Sequence, residues 1–429
     1  METLIEAFKV IFFGVLMFSI IVTVHEMGHF TAARLFGLRV KEFMIGLPGP
    51  NIGFKFKGTK FGITPFLLGG YALIAGEGSA RENTHLASAL SYLAAHGALT
   101  DEEAYVAGHE LGYDLEEALE VLDAWGTVRR VKKRGRYTYL MPQSETAAEG
   151  EPRRIEDVAA HIAAERKLTF NAAPWYQRVI ILAAGVIANL LFAIIVFTTV
   201  LMILGDQIPT TTFESIVGGS PAEQAGMMAG DTILGLNGRD IDSWDTLTEV
   251  MNAYKPGDEV TVSIDHQGVI KDYTVTLADN EGRPMIGFSP VTEAAPISFF
   301  EALSISVGFI GIVAEAILML FNPSTFTEVV SQSSSVVGIS FEARNFAAAG
   351  FMPFIYLAAA LSISIGMMNL LPFPPLDGGK IIVETIERVT RRKIPVRIMN
   401  GITVAALTLL VMLFIYVTNQ DIHRYIIGG

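Results

Sequence analysis

The chain of 429 residues has no cysteine. That excludes a disulfide framework, thiolate metal ligands and a cysteine nucleophile. Charge is also scarce, at 17% of residues, where an ordinary soluble chain carries about 25%. What fills the gap is apolar: 51% of residues are hydrophobic and mean hydropathy is +0.43. The shortage therefore points to a membrane. Bases are fewer than acids, 31 against 44, for a formal charge of −13, which argues against a general nucleic-acid role because phosphate binding needs a basic surface.

Four stretches approach or exceed the roughly 20 apolar residues that cross a bilayer core of about 30 Å. They are Val10 to Val24, Val179 to Leu204, Phe346 to Leu376 and Ile398 to Gln420, all uncharged. The first lacks a basic start and a small-residue cleavage site, so it reads as a retained span rather than a signal peptide. A fifth apolar stretch, Ala302 to Phe321, contains Glu315 and conflicts with the parity of the loop charges. It is expected as an interfacial or re-entrant element. Six Lys or Arg fall between Gly378 and Arg397, whereas residues 206 to 300 hold four against 15 Asp or Glu. By the positive-inside rule the short basic loop is cytoplasmic and 206–300 lies outside, as do both termini.

Within the first span, His25-Glu26-Met27-Gly28-His29 is an HExxH motif. On a helix, positions i and i+4 share a face, so both imidazoles can reach one zinc while Glu26 activates water. The bland reading is a helix end capped by polar groups, but ionisable residues at membrane depth are costly and usually functional. A catalytic zinc needs a third protein ligand. Asp377 is the candidate: it is the first charge after 31 uncharged residues and sits in Asn369-Leu-Leu-Pro-Phe-Pro-Pro-Leu-Asp-Gly-Gly379. Prolines there oppose a regular helix, and paired glycines allow close backbone approach.

HExxH in the first span with NLLPFPPLDGG in a late one resembles the site-2 protease family of intramembrane zinc metalloproteases, above all the bacterial branch that includes the regulator-of-sigma-E protease. Pro65-Phe-Leu-Leu-Gly69-Gly70-Tyr71, Gly185-Val-Ile-Ala-Asn189 and Ser335-Val-Val-Gly-Ile339 resemble further family elements, although Val336 stands where the family usually has proline. The resemblance covers about 1–78 and 171–420. It implies Zn2+ held by His25, His29 and Asp377, with Glu26 as general base. It also implies Asn189 and Asn369 as substrate-positioning residues and a substrate-facing, membrane-associated β-hairpin over Lys41 to Gly76 that includes Gly69 and Gly70. Asn189 could equally bond only across helices.

Residues 206–291 resemble a circularly permuted PDZ domain, either binding a peptide terminus in its groove or acting only as a size filter. Residues 79–168 resemble a winged-helix insertion: three helices, then alternation around a basic turn at Lys133 to Arg136. The would-be recognition helix, Asp114 to Trp125, carries five acidic residues and no basic one, so DNA is not its expected partner.

The expected fold is a polytopic α-helical membrane protein of about four spans, with that hairpin, a cytoplasmic winged-helix-like insertion and one external α+β PDZ domain. The expected divisions are 1–78, 79–168, 171–205, 206–291, 292–345 and 346–429. The implied function is zinc-dependent hydrolysis of a peptide bond in or near the transmembrane segment of a single-span protein, such as an anti-sigma factor, in a bacterial cytoplasmic membrane, with the active site toward the cytoplasm. A non-catalytic scaffold presenting the two soluble modules is the alternative; a transporter would want more ionisable residues along its spans.

Overall fold

The computed structural model describes residues 2–427 apart from 68, 79–82, 134, 145–146 and 281, so Arg134 of the basic turn lies outside the described residues. Two compact units emerge, residues 1–197 with 306–429, and residues 198–305.

In the first unit, the uninterrupted apolar run makes one helix, Glu2–Leu35, with the HExxH residues in its final turns. Helix Trp175–Leu204 and helix Phe351–Asn369 are the other two long elements around the site. Met17 and Ile21 of the first helix pack with Phe354 and Ala358. Closer to the HExxH end, Ala32 and Ala33 share a core with Leu38, Val40, Ile74, Ile181 and Leu182. That second core joins the first helix, the sheet beside it and the second span.

The segment expected as a hairpin is larger than that. It is a four-stranded mixed sheet in the order Ile52–Phe56, Thr59–Ile63, Val40–Ile45, Gly70–Ile74. Val40–Ile45 pairs parallel with Thr59–Ile63 and antiparallel with Gly70–Ile74. Alternation alone marks the strands; the parallel pair comes from a long-range return that local pattern does not encode. Gly70–Ile74 is left as an edge strand.

Residues 86–167 form helices Leu86–His96, Asp101–Leu111 and Leu115–Trp125, a sheet of Ala98–Thr100, Arg136–Leu140 and Arg129–Lys133, and helix Val158–Lys167. Thr100 and Glu103 form a reciprocal capping box on the second helix, and Leu90, Leu93, Leu119, Leu122 and Trp125 make the core. This body is clamped to the sheet. Arg39 donates to both carboxylate oxygens of Glu165, at 2.5 and 3.1 Å, and to the Trp125 carbonyl. Lys41 reaches the Asp123 carbonyl, and the Gly76 amide donates to Ala124. Burial pushes the Glu165 carboxyl up, but the Arg39 guanidinium outweighs it and holds the group below the usual range. A depressed carboxyl stabilises above its unfolded value and loses that contribution as pH falls through the folded one. The clamp should therefore loosen below about pH 4.5, read as faster proteolysis beside Glu165, at Arg166 and Lys167. Glu165→Gln should show the fast rate already at neutral pH.

The second unit is a sheet ordered Val269–Thr276, Glu259–His266, Thr232–Leu236, Asp206–Ile216, Phe288–Ala295, with helices Pro221–Gln224 and Trp244–Met251. Phe213, Ile233, Leu236, Val260, Val262 and Ile264 fill its core. Ser220 caps the short helix by accepting from the Glu223 amide, with Pro221 in the first turn; there proline costs no hydrogen bond.

Among the described residues, five helices are long and apolar enough to cross a membrane: Leu4–Leu35, Trp175–Leu204, Phe299–Met319, Phe351–Asn369 and Arg397–Ile427. The stretch 302–321, expected as interfacial or re-entrant, lies, up to Met319, within one of these helices. One helix of 21 residues, Phe299–Met319, occupies that stretch, about 32 Å long at 1.5 Å per residue. Phe309, Ile310 and Val313 pack against Ala193, Phe197, Ala359 and Ile363.

Candidate metal centre

A helical i, i+4 spacing puts His25 and His29 on one face, and the edge-to-face contact of their rings, 4.8 Å between centroids, follows from it. Asp377 is the first residue of helix Asp377–Thr390, which starts after the proline-rich turn. That start brings a residue 352 positions away to the same point: Asp377 Oδ2 lies 3.0 Å from His25 Nε2 and 3.1 Å from His29 Nε2. The two Nε2 atoms are 3.2 Å apart. Among the described residues, these three form the one metal-capable His/Asp/Glu group.

The donor set suits zinc. Two imidazole nitrogens and a carboxylate oxygen are its usual catalytic ligands, and ligand atoms about 2.0–2.1 Å from a tetrahedral ion sit about 3.3 Å from one another. The hydrogen-bond accounting points the same way. His29 Nδ1 is 2.7 Å from the Ile181 carbonyl, so that nitrogen carries the proton. In the neutral ring, Nε2 is then a bare lone pair aimed at a carboxylate oxygen and at the other Nε2, an arrangement a cation satisfies. The three residues are 7–9% exposed, and together with Glu26, Tyr71 and Asn369 they line a cavity of about 330 Å³.

Each remaining candidate has a definite place. Glu26 Oε2 accepts the Ala72 amide at 2.9 Å, which orients the carboxylate beside the imidazoles. Asn189 is fully buried, with its side-chain amide 3.4 Å from His25 Nδ1. Its Oδ1 lacks a partner in the present orientation. Turning the amide so that Oδ1 faces the ring satisfies that oxygen and accepts the Nδ1 proton, leaving His25 Nε2 free to ligate. Asn369, the last residue of its helix, is half-buried on the cavity wall. Gly70 opens the edge strand; a Cβ there would meet the Met44 carbonyl at 3.0 Å and Glu26 Cγ at 3.6 Å. Gly69, at φ +133°, occupies the backbone region that favours glycine and faces Leu47 instead of the cavity.

Two features were not legible in the sequence. The Ile181 and Ala72 contacts come from backbone, so no residue type signals them. Lys380 bridges Glu77 at 3.0 Å and Asp377 Oδ1 at 3.7 Å; its i, i+3 spacing from Asp377 was the available signal, and Glu77 is distant in sequence.

A family model described as Peptidase family M50 matches residues 13–413. The chain belongs to peptidase family M50. It is 27% identical over 438 residues to a Lactococcus lactis protein that carries a zinc-metalloprotease name, covering 96% of this chain and 97% of that one. It is 25% identical over 434 residues to the zinc metalloprotease RasP of Shouchella clausii, covering 95% and 97%. Among solved structures, the PDZ domain of an SdrC-like protein from Listeria monocytogenes matches 20% of this chain and 88% of that one, at 25% identity and a TM-score of 0.18. As an M50 metallopeptidase, the chain has Zn2+ as its expected cofactor.

Proposed function

We propose that this M50 peptidase hydrolyses a peptide bond in or near the transmembrane segment of a single-span membrane protein. The observation that carries the reading is the convergence of His25, His29 and Asp377 beside Glu26, on helices apolar enough to lie in a bilayer. When bound, zinc supplies Lewis-acid polarisation of the scissile carbonyl. Glu26 takes the proton of the attacking water and returns it to the leaving amine. Asn189 holds the His25 ring in its ligating orientation, and Asn369 faces the substrate from the cavity wall. Intact ligands and base disfavour the scaffold alternative.

A membrane helix hides its carbonyls in i to i+4 hydrogen bonds, so the substrate must be unwound at the scissile bond. Gly70–Ile74 is an edge strand beside Glu26, which takes its Ala72 amide, and we assign this edge the role of pairing with the extended substrate. Residues 206–291 are read as the PDZ module and 79–168 as a winged-helix-like regulator of access to the site. Against DNA as its partner stands the face of Leu115–Trp125, whose Glu116 and Glu120 are held with Asp101 by Arg130. Helix Phe299–Met319 is assigned as a fifth membrane-embedded element on the strength of its packing. The cytoplasmic facing of the site rests on the loop charges, and an anti-sigma factor as substrate rests on the family resemblance.

The test is cleavage of a single-span reporter by the full chain in vesicles. Activity should vanish with a chelator and return with zinc. Ala72→Pro removes the edge-strand amide that also holds Glu26 Oε2, so through either role it should lower cleavage at least about tenfold with zinc retained. A wild-type rate in that variant would exclude strand pairing, and chelator-resistant cleavage would sink the zinc reading.

A further inference from the structure

Helix Asp377–Thr390 begins at the metal ligand and then turns away from the site. It exposes an apolar stripe: Ile382, Ile386 and Val389, at i, i+4 and i+7, are 40, 43 and 77% exposed. Its other face is polar and already engaged. Lys380 is paired with Glu77, and Glu384 with Arg178 at 2.8 Å. Glu387 accepts the Ile394 amide at 2.9 Å. The cations that follow are not engaged in this way. Arg388, Arg391, Arg392, Lys393 and Arg397 are all exposed and have no ion-pair partner among the described residues. The last apolar helix, Val396–Ile422, starts among them, with Arg397 as its second residue. Four of these cations, Arg388, Arg391, Arg392 and Lys393, also border a cavity of about 1210 Å³ whose apolar walls include Leu73, Trp125 and Met399.

We propose that residues 382–397 form a binding surface for anionic phospholipid. Ile382, Ile386 and Val389 enter the acyl region, while Arg388, Arg391, Arg392 and Lys393 hold the headgroup phosphate. Apolar stripe and cations lie on one short helix and the loop after it, which is the pattern of a helix lying in the membrane interface. Among the described residues none of these cations forms an ion pair within 4 Å, although Glu384 and Glu387 border the same cavity, and an anionic leaflet supplies complementary charge at the depth where a span begins. A soluble protein partner would leave the stripe of Ile382, Ile386 and Val389 needing a second cover. The same helix starts at Asp377, so a lipid held here steadies the element that delivers the metal ligand. The proposal does not depend on the protein being an active peptidase.

Because the chain has no cysteine, Val389→Cys gives a single labelling site in the full-length protein. A bimane placed there is reconstituted in phosphatidylcholine vesicles carrying equal mole fractions of nitroxide-labelled phosphatidylglycerol or nitroxide-labelled phosphatidylcholine. Quenching should favour the phosphatidylglycerol probe roughly fivefold, about what one cation contributes near an anionic surface. Glutamine at 388, 391, 392 and 393 should bring the ratio to about one while quenching persists, and lysine at those positions should keep the preference. Equal quenching by both probes in the native charge background would overturn the proposal, as would no quenching by either. Loss of the preference in inorganic phosphate, but not in chloride of matched ionic strength, would identify a soluble-anion site and overturn it too.

Discussion

Glu26→Gln is expected to leave zinc at one per chain and to reduce peptide-bond cleavage on the order of 10²–10⁴-fold, the usual contribution of a positioned general base. The separation follows from the geometry. His25, His29 and Asp377 form the metal-capable group, and Glu26 is not among them. Glutamine keeps an oxygen for the Ala72 amide that now bonds Glu26 Oε2, so the side chain stays in place and loses only its ability to take a proton. Metal analysis and cleavage of a single-span reporter should be run on the same preparation. Cleavage within tenfold of wild type would remove Glu26 from the reaction, and loss of zinc would mean that the carboxylate supports the centre itself.

The second large effect is expected at a residue without a side chain. Gly185 faces the imidazoles so closely that a Cβ there would lie 2.4 Å from His29 Nε2 and 2.7 Å from His25 Cε1. No relaxation of a flexible tip can absorb that overlap, because the rings are held by Ile181, Asn189 and Asp377. Gly185→Ala should therefore displace a ligand and weaken zinc binding on the order of 10–100-fold, the range seen when the support of a metal ligand is lost, with activity falling in parallel. Gly401→Ala is the control. Nothing lies within 4 Å of that position in the last long helix, and alanine is the better helix former by about 0.8–1 kcal/mol. Zinc content and thermal stability should be unchanged or slightly higher there. Equal zinc affinity in wild type and Gly185→Ala would show that the second span stands farther from the centre than described.

The pattern that found HExxH is local, and locality is why it could be read. Four residues of helix bring His25 and His29 to one face whatever the rest of the chain does, and an ionisable pair inside an apolar run announces its own cost. Asp377 was legible for a related reason, as the first charge after a long uncharged stretch inside a proline- and glycine-rich turn. The capping box at Thr100 and the proline-started helix at Ser220 belong to the same class of short-range signals.

What was not legible depended on partners far away in sequence. The segment 40–74 alternated like strands, but its parallel pairing and its edge at Gly70–Ile74 were settled by which strands meet in space. Glu315 made residues 302–321 look interrupted, whereas packing on Ala193 and Ile363 accompanies one continuous helix. Asn189 was marked by its spacing from Gly185, yet its neighbour, the His25 ring, lies 164 residues away. The sequence by itself determined the membrane setting and the candidate ligand and base residues of HExxH, because hydropathy and i, i+4 spacing act within one element. Only the tertiary structure decided that His25, His29 and Asp377 converge within hydrogen-bond distance, that backbone groups of Ile181 and Ala72 orient His29 and Glu26, and that the inserted body is clamped to the sheet. Those are contacts between elements, set by packing and by the need of each buried polar group for a partner.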